Sequence, residues 1–186
     1  MKYISKGQFI NRKRDGSVVV YRCGDKFHLK DAAADTWLAG QYQVTEAGTG
    51  AALEELQHLG LIQLQIGQPD NILDTYRILT NCVICPCTAH AGTESLSSTQ
   101  SDLMMWIWYA GLRVTMAELV KLRELCAMPY PQYLGESNRQ ALVELIYIEN
   151  NIQDRILEAA MEESAAMPGT VRDVLQLLRL KVIYLI

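Results

Sequence analysis

TEAGTGAALEELQHLGLIQLQIGQPDNILDTYRILT, residues Thr45 to Thr80, is the stretch that decides the architecture. Thr45 stands where a helix N-cap is expected, because its hydroxyl can accept from a free backbone N–H of the first turn. Ala52, Leu53, Leu56 and Leu59 make an apolar stripe at helical spacing, and Gly60 ends it. Ile62, Leu64 and Ile66 then alternate with Gln63 and Gln65, the period of a half-buried strand. Pro69 and Asn71 mark a turn, and Asp74 to Leu79 is expected to return as the second strand of a hairpin.

Upstream, Tyr3–Ile10, Ser17–Arg22 and Lys26–Leu29 read as strands, with Asp15-Gly16 and Gly24-Asp25 as the turns between them. Asp31 is placed to cap a helix running through Trp37 and Leu38 to Gly40. Downstream, residues 81–95 are small, polar and Cys-rich and read as a linker, with the boundary near residue 92. From there the pattern is helical. Thr99 caps a helix that turns Leu103, Trp106, Ile107 and Ala110 inward and ends at Gly111. Thr115-Met-Ala-Glu118 and Ser137-Asn-Arg-Gln140 have capping-box spacing, in which the two side chains satisfy each other's free N–H groups. Pro129-Tyr-Pro131 stops the helix between them. The second box opens a long helix that reaches Ser164 or breaks at Asn150-Asn151, both poor helix formers. Thr170 is expected to start the last helix, and Lys181–Ile186 a final strand. The expectation is an α+β chain with a mixed domain over 1–80, a linker over 81–95 and a mainly helical domain over 96–186.

A hydrophobic content of 49% with 20% charged residues excludes disorder over most of the 186 residues. The net charge of −4 counts against a dedicated nucleic-acid binder, which neutralises phosphate with Lys and Arg. No signal-peptide core stands at the start, and the apolar run Val174–Ile186 is broken by Gln176, Arg179 and Lys181 and is shorter than the roughly 20 residues a membrane helix needs. Five cysteines, an odd number in a chain of this size, are expected to stay reduced. A cytoplasmic protein without a membrane segment is the expectation.

Cys82-x-x-Cys85-x-Cys87 with His90 supplies the right donors for Zn²⁺. Four ligands within one short loop would tie down only that loop, however, and Cys82 and Cys85 fit equally well as small apolar residues. No metal or other cofactor is therefore expected. No phosphate loop, dinucleotide fingerprint, zinc-protease motif or nucleophile elbow is found, and His28, His58 and His90 are scattered, so a non-enzymatic protein is expected. If the helix ending at Leu59 entered a DNA groove it would present Thr49, Glu54, Glu55, Gln57 and His58, two of them carboxylates that repel phosphate. Backbone contacts would fall instead to Arg12, Lys13, Arg14, Arg77 and Arg113. Trp106, Trp108, Tyr109 and the 138–164 helix offer apolar surface for a homodimer.

The helix-then-hairpin order over residues 17–80 resembles the winged-helix superfamily of bacterial regulators, with residues 62–79 as the wing and the helical half as an alternative second copy. That resemblance implies a DNA-binding transcriptional regulator acting as a homodimer. Gly24 to Gly40, GDKFHLKDAAADTWLAG, after the strand Val18–Arg22, is similar to the start of the PqqD-like peptide-binding domains, a match that stops near Gly40. It implies the alternative: a protein- or peptide-interaction module that keeps the fold without binding DNA. A third reading makes the Cys82–His90 cluster a metal or redox sensor.

Overall fold

The computed structural model describes residues 1–66, 71–87, 96–109, 114–128, 138–148 and 152–186. It is an α+β protein of small antiparallel sheets and short helices. It divides into two units: residues 1–82 with 184–186, and residues 83–183.

The first unit begins with β1 (Lys2–Ser5) and the meander β2 (Gln8–Arg12), β3 (Val18–Arg22) and β4 (Asp25–Leu29). Cys23 (φ 51°) and Gly24 (φ 101°) form the tight turn between β3 and β4, the double positive-φ geometry that matches strand twist. Helix α1 (Asp31–Ala39) follows directly, starting with Asp31 in its first turn and not as its cap, and ending at Gly40. A Cβ on Gly40 would lie 2.5 Å from the Tyr3 ring, so only glycine lets α1 end against β1. Three hydrogen bonds fix that contact. Tyr3 Oη donates to the Thr36 carbonyl (2.8 Å), Ser5 Oγ to the Trp37 carbonyl (2.6 Å), and Trp37 Nε1 to the Lys6 carbonyl (3.0 Å).

Thr45 does not cap a helix. It lies in β5 (Thr45–Glu46), opposite Tyr3, and its hydroxyl donates to the Ala39 carbonyl. Helix α2 (Ala51–His58) starts after Gly50 and buries Leu56 completely. Strand β6 (Ile62–Gln65) comes next, as the alternation predicts, and pairs with β1 in a sheet ordered β5-β1-β6. The hairpin does not close: Asp74–Leu79 belongs to helix α3 (Ile72–Thr80) and is not a return strand. Asn71 caps α3 by accepting from the Leu73 N–H (2.9 Å), and Thr75, Tyr76, Ile78 and Leu79 are buried. Ile72, Thr75, Tyr76 and Leu79 recur at helical spacing, and burying that face outweighs the strand preference of Thr, Tyr and Ile. The core of the unit gathers Val18, Val20, Leu29, Trp37, Leu56 and Leu61, with Phe9 stacked on Trp37 at 6.5 Å.

The second unit opens on β7 (Val83–Pro86), a strand inside the stretch read as a linker; the units divide between Cys82 and Val83. Helix α4 (Ser98–Tyr109), β8 (Val114–Thr115) and α5 (Met116–Glu124) follow. The Thr115–Glu118 capping box forms as expected, with both reciprocal bonds present. Ser137 and the second box lie outside the described residues. The long helix is not continuous. Helix α6 (Asn138–Val143) passes into a π-helical segment (Glu144–Ile148), and a separate α7 (Asp154–Glu162) begins after an extended Gln153. Helix α8 (Met167–Arg179) starts ahead of Thr170, with Pro168 in its first turn where a missing N–H costs nothing. Strands β7 and β8 pair antiparallel, and the chain closes with β9 (Ile183–Leu185), whose last two residues belong to the first unit. Trp106 is buried and donates from Nε1 to the Ala127 carbonyl, so it is a core side chain of this unit.

Candidate functional site

Charge is unevenly distributed along the chain. Residues 11–30 carry Arg12, Lys13, Arg14, Arg22, Lys26 and Lys30 against Asp15 and Asp25 alone, a local excess of positive charge in a chain of net charge −4. The β2-β3-β4 meander carries these cations on its strands and turns. The register pairs Val19 with His28, Val20 with Phe27 and Tyr21 with Lys26. Strand alternation therefore sends Val20, Phe27 and Leu29 toward the core and Tyr21, Lys26 and His28 to the opposite face. Lys13 Nζ donates to His28 Nδ1 (3.2 Å), a bond that requires an unprotonated Nδ1. Arg12, Lys13, Arg14, Lys26, His28 and Lys30 are all exposed.

The tip between β2 and β3 is shaped by Asp15. Its carboxylate accepts from the Ser17 hydroxyl (2.6 Å) and the Ser17 N–H (3.0 Å). These two bonds, helped by the nearby charges of Lys13 and Lys30, hold its pKa below the ordinary carboxylate value. Arg12 Nε donates to the Gly16 carbonyl across the same turn. The run Arg12–Arg14 thus flanks a structured turn.

Strand β4 lies at the edge of its sheet and pairs with β3 without interruption over all five residues. The other edge strand, β2, has a bulge between Phe9 and Asn11 that leaves Ile10 exposed. Among the described residues no further strand joins β4. Its edge thus offers backbone groups flanked by Lys26 and His28 on one face and the half-buried Phe27 on the other.

Arg12, Lys13 and Arg14 lie at the β2–β3 tip, and of these Lys13 reaches His28. Arg77 is on helix α3, exposed, and not on a wing. Arg113 lies outside the described residues, as does His90. Of the cysteine cluster, Cys82 is buried and donates to the Ile78 carbonyl, Cys85 is buried on β7, and Cys87 is half-buried. Burial pushes the Cys82 thiol up to about 12 and the Cys87 thiol up to about 11, with Cys85 reinforcing the latter. Both are poor nucleophiles near neutrality. Lys26, His28 and Lys30 were not singled out from sequence. Their signal is a cation or imidazole at every second position, interleaved with Phe27 and Leu29.

A second polar cluster belongs to the second unit. Glu118 on α5 is fully buried, and its two oxygens are committed. Oε2 accepts from the Thr115 N–H (2.8 Å), and Oε1 from Tyr147 Oη (3.0 Å) and an Arg139 guanidinium N–H (2.7 Å). Burial, reinforced by the Glu118 charge and hydrogen bond, raises the Tyr147 pKa above its ordinary value. Such saturation is that of a carboxylate held to satisfy its own burial.

Comparison of the chain with protein-family models, with curated proteins and with solved structures finds no match.

Proposed function

We propose that this chain is a non-enzymatic interaction module, and that its first unit takes an extended acidic segment of a partner protein along the edge of β4. The observation that carries this reading is the coincidence of an uninterrupted edge strand with the one concentrated block of positive charge. Strand addition supplies affinity through main-chain hydrogen bonds, while alternating side chains supply specificity. A partner strand would set its acidic residues beside Lys26 and His28, and its apolar residues beside Phe27. The likeness of Gly24–Gly40 to PqqD-like domains points the same way. We place the protein in the cytoplasm because its five cysteines are free; among the described residues no helix is long and apolar enough to cross a membrane.

A DNA-binding regulator of the winged-helix superfamily is the second reading, favoured by the same cations, Arg12, Lys13 and Arg14 above all. It has lost ground in two respects. The return strand of the wing is helix α3, and α2 exposes Glu54 and Glu55 where phosphate would have to approach.

Fluorescence anisotropy separates the two readings. The probes are a labelled peptide of alternating Val and Glu, its Val–Lys counterpart and a duplex DNA, each titrated with the full chain at low salt. Saturable binding of the acidic peptide alone, weakened by Lys26→Glu with Lys30→Glu, supports the module. Binding of duplex alone, falling with salt by about 0.9 in log–log slope per phosphate neutralised, transfers the proposal to the regulator.

A further inference from the structure

The other sheet of the first unit has an edge of opposite character. Strand β6 is the outer strand of the order β5-β1-β6, and among the described residues none lies beyond it. Edge strands are ordinarily protected by charges, proline, bulges or short length. Strand β5 has only two residues, β2 has its bulge, and β4 has Lys26. Strand β6, four residues long, has no charge, proline or bulge: Ile62-Gln63-Leu64-Gln65 pairs with β1 without a register shift.

The backbone geometry of β6 follows from its ladder. The Lys6 N–H donates to the Leu61 carbonyl (2.8 Å), extending the same register by one pair. In antiparallel sheets the groups of alternate residues point to opposite sides. Gln63 and Gln65 therefore direct their backbone groups toward β1, as Leu61 does its carbonyl while its N–H donates to the Leu56 carbonyl, and Ile62, Leu64 and Ile66 direct theirs outward. The Leu64 carbonyl accepts instead from the side-chain amide of Gln63, its own neighbour (3.2 Å). That is a local substitute for a missing strand.

The sequence of this edge, Ile62-Gln63-Leu64-Gln65-Ile66, reads the same in both directions. Ile66 is 85% exposed and Met1 63% exposed. With Leu64, Gln57 and Gln65 they line an open depression of about 430 Å³ beside the strand. We infer that β6 is a self-association edge, pairing antiparallel with β6 of a second copy about a two-fold axis through Leu64. In that register Leu64 meets Leu64, Ile62 meets Ile66 and Gln63 meets Gln65 of the partner copy. The outward backbone groups of Ile62, Leu64 and Ile66 would exchange about six hydrogen bonds. The exposed Ile66 would lie against an apolar neighbour, and no charge would oppose a like charge. A two-fold interface needs a surface complementary to itself, which a palindromic neutral strand supplies and a strand bearing Lys26 does not. The inference is independent of whatever occupies β4.

Sedimentation velocity on the full chain at micromolar concentration tests it, with folding of each variant checked by circular dichroism. The wild-type chain is expected to be a dimer. In Gln63→Glu/Gln65→Glu every Gln63–Gln65 pair becomes a pair of carboxylates, and the dissociation constant should rise by at least about tenfold. Gln63→Lys/Gln65→Glu changes the same two positions but sets opposite charges across the axis, and should remain dimeric. A monomeric wild-type chain, or two double variants that behave alike, would overturn the proposal.

Discussion

Glu118→Ala should be among the most damaging single substitutions in the second unit, and its cost can be worked from the geometry. The side chain closes the capping box at the start of α5 by accepting from the Thr115 N–H, and losing that hydrogen bond costs about 1 kcal/mol. It accepts from the half-buried Tyr147, and a hydrogen bond to a charged acceptor contributes about 1.5–3 kcal/mol. The Arg139 ion pair adds less than its 2.7 Å length suggests, because Arg139 is 47% exposed and its charge is screened; about 1 kcal/mol is an upper figure. The expected loss is about 3–5 kcal/mol, in line with breaking a buried charged network. Arg139→Ala should cost less, since Thr115 and Tyr147 still serve the carboxylate. Glu118→Gln should fall between, keeping the shape but losing the charge. Urea denaturation followed by far-UV circular dichroism measures the series, with the denaturant slope checked for constancy. A Glu118→Ala loss below about 1 kcal/mol, far less than a buried network is worth, would refute the reasoning. So would an Arg139→Ala loss as large as that of Glu118→Ala.

Two further outcomes are expected. Burial raises the Tyr3 pKa, and burial with Glu118 raises that of Tyr147. An unfolded tyrosine ionises near pH 10, so the stability contributed by these neutral phenols is complete below about pH 10 and lost as pH rises above it. Tyr147→Phe should therefore flatten the alkaline limb of a stability–pH profile, and an unchanged limb would contradict the assignment. Alkylation at mildly alkaline pH, mapped by mass spectrometry, should modify the exposed Cys23 and Cys126 first and leave Cys82 and Cys87 largely unreacted. Equal labelling of Cys82 and Cys23 would show that Cys82 is not buried.

Signals contained in a few adjacent residues were legible. Strands β3 and β4, the end of α1 at Gly40 and the Thr115–Glu118 box all depend on turn chemistry, capping and alternation within one element, whereas Tyr3–Ile10, read as one strand, is divided between β1 and β2 of two different sheets. What misled was any residue whose role is set at long range. Thr45 reads as a cap, yet Tyr3, far away in sequence, recruits it into β5. Asp74–Leu79 is rich in strand-favouring side chains, but Asn71 caps it and its buried face has helical period. The Cys-rich stretch looks like a linker because cysteine is scored as chemistry, whereas β7 uses Cys85 as a small apolar side chain. The candidate site was half legible. Arg12–Arg14 stands out as a run, while Lys26 and His28 gain meaning only when the β3–β4 register places them beside Tyr21 and Val19 on one face.

The first unit is discontinuous: residues 1–82 are completed by Tyr184–Ile186, and the Gly7 N–H donates to the Leu185 carbonyl. During synthesis the early residues must therefore wait for about 100 more before that bond can form, an interval of about 5–20 s at ordinary elongation rates. Throughout it the segment around Gly7 lacks its closing contact, and the uncharged β6 edge is already made. The yield of correctly closed molecules should thus depend on translation speed as well as on the equilibrium stability of the unit.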